Sequence, residues 1–208
     1  MPRTLATILL AGTAALSGCA SLSESQCLAG DWQTVGYRDG SSGQNRAALL
    51  EHQNACVKHG VTPDREAYLA GWDQGILQYC QPRNGFALGE RGAAFPTLCP
   101  GAVVDPFEAA YHDGRRLYLA RAEIRRLERE INAREHRLEH LDEAIASAES
   151  RLVEDGLSSA QRRELLEETK HMSREQGEIE VELKELRIDV ALEHQRLAQL
   201  RHALASAS

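Results

Sequence analysis

The second half of the chain carries a hydrophobic stripe of high regularity. Leu117, Ala120, Ile124, Leu127, Ile131, Arg134, Leu138, Leu141, Ile145, Ala148 and Leu152 alternate by three and four residues, with Arg134 as the polar intruder. That spacing is a heptad seam, and about five heptads of it predict one long helix packed against another. A second seam runs through Leu165, Thr169, Met172, Gln176, Ile179, Leu183, Leu186, Val190, Glu193, Leu197, Leu200 and Leu204. Asp155-Gly156 predicts the stop between them, because glycine takes the left-handed conformation without a Cβ penalty. Ser158-Ser159-Ala160-Gln161 predicts the restart, as a capping box. Asp105-Pro106-Phe107-Glu108 predicts the start of the first arm, with aspartate as N-cap and proline at the first helical position. Folding back at Gly156 sets Ile131 near Leu183, Leu127 near Leu186 and Leu117 near Leu197. Each arm is then roughly 70 Å long.

Charge supports this antiparallel pairing. Residues 113–140 carry Arg115, Arg116, Arg121, Arg125, Arg126, Arg129, Arg134 and Arg137 against six acids, a local balance of +2. The facing stretch 174–196 holds seven acids and four bases, a balance of −3. Opposite charge on the flanks of an apolar seam favours this register. Arg134, Gln176 and Glu193 weaken the seam, whether they fix its register or are merely tolerated. Two straight helices from different chains could use the same seams, so dimerisation is the alternative pairing. His136 and His140 lie one turn apart, without a convincing ligand set around them, and read as a solvated face.

The first half follows another pattern. Residues 27–105 are rich in glycine and cysteine and modest in apolar content, too short to rest on a large core. Asp31–Gly40, Gln44–His59 and Pro63–Cys80 read as short helices, with Gly60 stopping the second and Thr62-Pro63 starting the third. Residues 81–104, with Pro82, Asn84-Gly85, Gly89, Gly92, Pro96 and Pro100, read as an ordered loop. Gly36-Tyr37-Arg38-Asp39-Gly40 recurs as Gly71-Trp72-Asp73-Gln74-Gly75 and as Ala110-Tyr111-His112-Asp113-Gly114. Small residues four apart share one helix face and let another backbone approach. Glycine inside a helix costs about 1 kcal/mol relative to alanine, so the repetition implies a packing reason. The third copy falls in the first turns of the long helix, which suggests that the small domain docks on the base of the hairpin.

The same units hold the candidate chemistry. Tyr37, Trp72 and Tyr111 could stack on sugar rings, and Asp39, Asp73 and Asp113 could hydrogen-bond a glycan or serve as paired carboxylates. His52, Cys56 and His59 have metal-like spacing, although an oxidised Cys56 would remove that site. No nucleophile elbow, phosphate loop or zinc-protease signature is present. The expectation is a non-enzymatic protein with no catalytic residue, cofactor or metal.

The amino terminus places the protein. Arg3 precedes an uncharged run from Leu5 to Leu16, too short to span a bilayer and typical of a signal peptide. Leu16-Ser17-Gly18-Cys19 resembles the bacterial lipobox, which implies cleavage before Cys19 and acylation of that residue. Several acyl chains anchor a protein stably, at roughly 0.8 kcal/mol per buried methylene. In bacteria whose lipoprotein sorting reads the next position, aspartate there favours inner-membrane retention, and here it is Ala20. The expected location is therefore the periplasmic face of the outer membrane. Loss of residues 1–18 leaves 23 basic and 31 acidic residues, a balance of −8, which disfavours nucleic acid as a partner. Four cysteines remain for disulfides: Cys27, Cys56, Cys80 and Cys99. Three connectivities are open. A Cys80–Cys99 bond would staple the 81–104 loop and leave Cys27 for Cys56.

The ordered motifs of residues 27–116 resemble a known family. Cys27 with Asp31-Trp32, Gly36-Tyr37-Arg38-Asp39-Gly40, Cys56-Val57-Lys58-His59-Gly60, Tyr68-x-x-Gly71 with Gly75, Tyr79-Cys80, Asn84-Gly85-Phe86 and Cys99-Pro100 look like the envelope lipoproteins grouped as domain of unknown function 2799. The resemblance implies an exported bacterial protein and supplies no activity. The whole chain is thus expected to be all-α, with a signal peptide at 1–18 and an acylated tether at 19–26. A small disulfide-stapled helical domain at 27–105 and a long antiparallel two-helix coiled-coil hairpin at 106–205 follow. Its expected role is to present the hairpin to an envelope partner while membrane-anchored, with cell-wall glycan binding as the alternative.

Overall fold

The structure is a computed structural model that describes residues 22–207, so the lipobox residues, Cys19 and Ala20 lie outside the described part. The described residues form seven α-helices and one 3-10 turn and contain no strand. The helices are α1 (Glu24–Ala29), α2 (Trp32–Ser41), α3 (Ala48–Cys56), α4 (Arg65–Tyr79), α5 (Pro82–Glu90), α6 (Gly101–Leu152) and α7 (Ser159–Ala207), with the 3-10 turn at Val57–His59. The fold is all-α with a long helix pair at its carboxy-terminal end. It divides into two compact units, one reaching to Tyr79 and one starting at Cys80.

In the first unit α2 and α4 run parallel and touch backbone to backbone. Gly36 and Gly40 meet the main chain of α4 at Tyr68 and Trp72, and Gly71 and Gly75 meet the main chain of α2 at Gln33 and Tyr37. All four glycines are buried. Trp32, Val35, Tyr68, Trp72 and Ile76 fill the space beside this contact. Asp31 caps α2, its carboxylate accepting from the Thr34 amide at 3.1 Å. Asp64 accepts from the Ala67 amide at 3.0 Å, so α4 begins after Asp64 and not at Thr62-Pro63. Gly60 turns left-handed at φ 70°, as the stop after His59 requires. The Cys27–Cys56 disulfide ties α1 to α3.

The second unit repeats this arrangement. The expected loop at 81–104 contains α5, which starts on Pro82 at the first helical position and packs parallel to the beginning of α6. Gly85 and Gly89 lie against the main chain at Phe107 and Tyr111, and Gly114 lies against Phe86. The Cys80–Cys99 disulfide closes the segment that contains α5. Both disulfides thus pair as the stapling argument favoured. α6 starts at Gly101, one turn before the expected Asp105 cap, and takes Pro106 into its second turn. So near the helix start, the missing proline N–H withholds a bond only from a first-turn carbonyl.

α6 and α7 then form an antiparallel pair. Leu117, Ile124 and Leu197 share one buried cluster, with Ala120, Leu200 and Leu204 against it. Leu141, Ile179 and Leu183 share another, with Ile131, Leu138 and Met172. Leu117 with Leu197 and Ile131 with Leu183 are the expected neighbours, and both seams are filled within one chain. α6 ends at Leu152, ahead of Gly156, which sits in the turn at φ 98°. Ser158 and Gln161 make the capping box of α7, with the Gln161 amide donating to Ser158 Oγ at 3.3 Å and the Ser158 amide to Gln161 Oε1 at 2.9 Å. No helix among the described residues is long and apolar enough to cross a membrane.

Candidate functional site

The six residues singled out for binding fall in different units. Tyr37, Asp39, Trp72 and Asp73 belong to the first unit, Tyr111 and Asp113 to the second. Trp72 is buried, donates from Nε1 to the Gln44 carbonyl at 2.8 Å, and carries the Arg46 guanidinium over its ring at 4.4 Å. Arg46 in turn pairs with the exposed Asp73 at 2.5 Å. Tyr111 is buried and donates to the Ala93 carbonyl at 2.8 Å, with its ring against Phe95. Asp113 pairs along its own helix with Arg116 at 3.2 Å. Tyr37 alone among the three rings stays exposed. Trp72 and Tyr111 are core rings, each packed inside its own unit, so neither offers the open face that the sugar-stacking alternative requires.

Asp39 occupies the most distinctive polar position. It sits beside Gly40 on the buried face of α2, 6 % exposed, and holds two partners through Oδ2. The Tyr68 hydroxyl donates to that oxygen at 2.9 Å, and His52 Nε2 lies 2.6 Å from it. Arg38 approaches the other oxygen at 3.8 Å. His52 comes from α3, is 4 % exposed, and leaves Nδ1 without a hydrogen-bond partner among the described residues. Burial first, and the hydrogen bond to Asp39 second, push the Tyr68 hydroxyl far above the ordinary tyrosine range. The three groups tie α2, α3 and α4 into one unit. With Asp39, His52 and Tyr68 all buried, the chain of partners holds structure and has no open face for a substrate.

The cluster of metal-like spacing is also taken up. Cys56 is bonded to Cys27, His52 to Asp39, and His59 stands 3.7 Å from Glu24. His136 and His140 lie beside Glu139 and Glu143 on an exposed face. No three metal-binding side chains converge among the described residues.

The two units share one internal pattern. Gly36, Gly40 and Gly43 of the first correspond to Gly85, Gly89 and Gly92 of the second. Tyr68, Trp72, Gly75 and Tyr79 correspond to Phe107, Tyr111, Gly114 and Tyr118. Gly43 and Gly92 both have φ 74°, and a Cβ on either would stand 2.3 Å from the ring of Tyr79 or Tyr118. Trp72 and Tyr111 each bond the carbonyl immediately after that glycine, Gln44 or Ala93. Gly85-Phe86-Ala87-Leu88-Gly89 is thus a further copy of the small–aromatic–small unit, hidden in sequence among the loop-forming residues of 81–104.

Both halves of this repeat fall inside a single family match. Residues 31–116 match a family described as protein of unknown function (DUF2799). This stretch is similar to the DUF2799 family. It begins at the Asp31 cap and ends at Arg116, so the DUF2799 match contains both glycine-faced helix pairs and stops where the hairpin seam begins. No curated protein and no solved structure matches the chain.

Proposed function

We propose that the protein is a lipid-anchored, non-enzymatic scaffold or adaptor of the cell envelope that presents its hairpin to a periplasmic partner. The observation that carries this reading is the hairpin. Its helices of 52 and 49 residues extend about 75 Å at 1.5 Å per residue. It is braced as a rod: Arg137 bonds Glu175 through two nitrogens at 2.7 and 2.8 Å, Arg134 bonds Glu182 at 2.5 Å, and Arg187 bonds Glu135 at 2.8 Å. The turn at its tip is ordered by Arg162, which donates to the Leu152 and Glu154 carbonyls. Val153 stands there 83 % exposed, an apolar contact point beside charged neighbours. Acylation at Cys19 and an outer-membrane position facing the periplasm complete the proposal, and they rest on the lipobox and on Ala20.

The test is in-cell photo-crosslinking from Val153, Glu154 and Asp155. A defined envelope protein trapped from these positions is the expected result. Failure to trap any partner from the tip would count against the adaptor. Palmitate labelling lost in Cys19→Ala tests the anchor separately.

A further inference from the structure

Towards its base the hairpin opens into a groove with an apolar floor. Leu119 and Ala120 of α6 face Leu200 and Ala203 of α7 across about 730 Å³, and the groove continues for about 390 Å³ past Leu127 and Leu192. The ion pairing changes character here. Higher up, Arg134, Arg137 and Arg187 cross between the helices. Along the groove, charges turn onto their own helix instead: Arg116 to Asp113, Arg126 to Glu123 and Glu130, Arg196 to Glu193. The lips are left to Leu119 and Leu192, 53 % and 57 % exposed. Val181 and Ile188, 54 % and 60 % exposed, extend Leu192 into a second apolar row at seven- and four-residue spacing. A helix with heptad-spaced apolar residues away from its own seam is patterned for a second helical neighbour.

We propose that this face joins two copies of the chain, packed antiparallel through α7. The charges along α7 select that occupant. Residues 174–185 carry Glu175, Glu178, Glu180, Glu182 and Glu185 against Arg174 and Lys184, whereas 187–201 carry Arg187, Arg196 and Arg201 against Asp189 and Glu193. A two-fold axis between Ile188 and Leu192 lays residues 174–185 of each α7 over residues 195–206 of the other, which hold Arg196 and Arg201 and no acid, and sets Arg187 over Glu193. It also sets Ile188 of each copy against Leu192 of its mate, twice by symmetry. A parallel arrangement would stack like charges and lose both matches. This surface is distinct from the α6–α7 seams, which are filled within one chain.

The experiment uses the full chain, co-expressed with two different tags and carrying a photo-crosslinker at position 192. The expected product has twice the chain mass and contains both tags, and a crosslinker at Ala198, on another face of α7, yields none. Ile188→Glu introduces no buried charge in the single chain, so its helicity should be unchanged, yet it should cut the dimer product by roughly tenfold or more. A dimer product indifferent to Ile188→Glu overturns the proposal. So does a product from position 192 that contains only another protein, or no product at all.

Discussion

Gly36 lies against the main-chain carbonyl of Tyr68 so closely that a Cβ placed on it would stand 1.9 Å from the oxygen. Gly71 stands in the same relation to the Gln33 carbonyl, and Gly114 to that of Phe86 at 2.0 Å. The obstructing atoms are backbone and cannot swing away. Gly36→Ala, Gly71→Ala and Gly114→Ala should therefore each cost roughly 2–3 kcal/mol by forcing two helices apart. Gly177→Ala is the control, since nothing lies within 4 Å of its added methyl. It should gain about 1 kcal/mol from helix propensity alone. Thermal and denaturant melts of the four variants decide the matter, and equal losses at all four would refute the close-approach account.

Removing Asp39 would strand two buried groups. Asp39→Ala should be more destabilising than Tyr68→Phe, for which about 1 kcal/mol is expected, the value of one hydrogen bond. The raised Tyr68 value also sets a pH dependence. A group whose folded value exceeds its unfolded value of about 10 contributes stability that is present below pH 10 and is lost as pH rises beyond it. An ultraviolet titration should show a tyrosine that ionises above the ordinary tyrosine range. Its disappearance in Tyr68→Phe identifies it.

The Cys27–Cys56 and Cys80–Cys99 bonds close loops with sequence separations of 29 and 19. Loop-closure entropy gives each about 3–4 kcal/mol. Serine at Cys80 and Cys99 should loosen α5 from α6 and leave the hairpin helices formed, so near-ultraviolet dichroism falls while most far-ultraviolet signal stays. Loss of both signals together would show that the hairpin depends on that staple.

Arg137 and Glu175 link the two hairpin helices. The hydrogen bonds from Arg137 hold the Glu175 carboxyl below the usual glutamate range. A depressed folded value means stability present above about pH 4.5 and lost as pH falls through the lower folded value. Arg137→Glu should lower the melting temperature and Glu175→Arg in the same chain should restore it, with the restoration weakened by salt. A double variant no better than the single one would refute cross-helix pairing at this site.

Much of the hairpin was legible because a heptad repeats one simple instruction over many turns. Leu117 finds Leu197 and Ile131 finds Leu183 as the spacing required, and Ser158-x-x-Gln161 caps where its residue types predicted. Cys80 pairs with Cys99 across the 81–104 segment and leaves Cys27 for Cys56. α5 was not legible as a helix. Pro82, Asn84, Gly85 and Gly89 are loop formers by propensity, and tertiary contact with Phe107 and Tyr111 overrides that preference. Asp105-Pro106 misled for the opposite reason: a good local start signal lies inside a helix that has already begun at Gly101. The candidate site was half legible. Asp39, Trp72 and Tyr111 stand out in the repeat, but the chain alone does not name the partners of their polar atoms. The Gln44 and Ala93 carbonyls that receive Trp72 and Tyr111 are backbone groups, and His52 comes from another helix.

α6 runs without interruption from its contact with Gly85 and Gly89 to the turn at Val153. It is a lever with no joint along its length. A sideways load on the tip would be resisted first by the crossing arginines and then, at the other end, by the bare backbone contact between Gly114 and Phe86. Side chains in such a contact could yield by changing rotamer, whereas two main chains in van der Waals register have nothing to rearrange. The glycines thus seat the foot of the hairpin's first helix on α5, main chain against main chain.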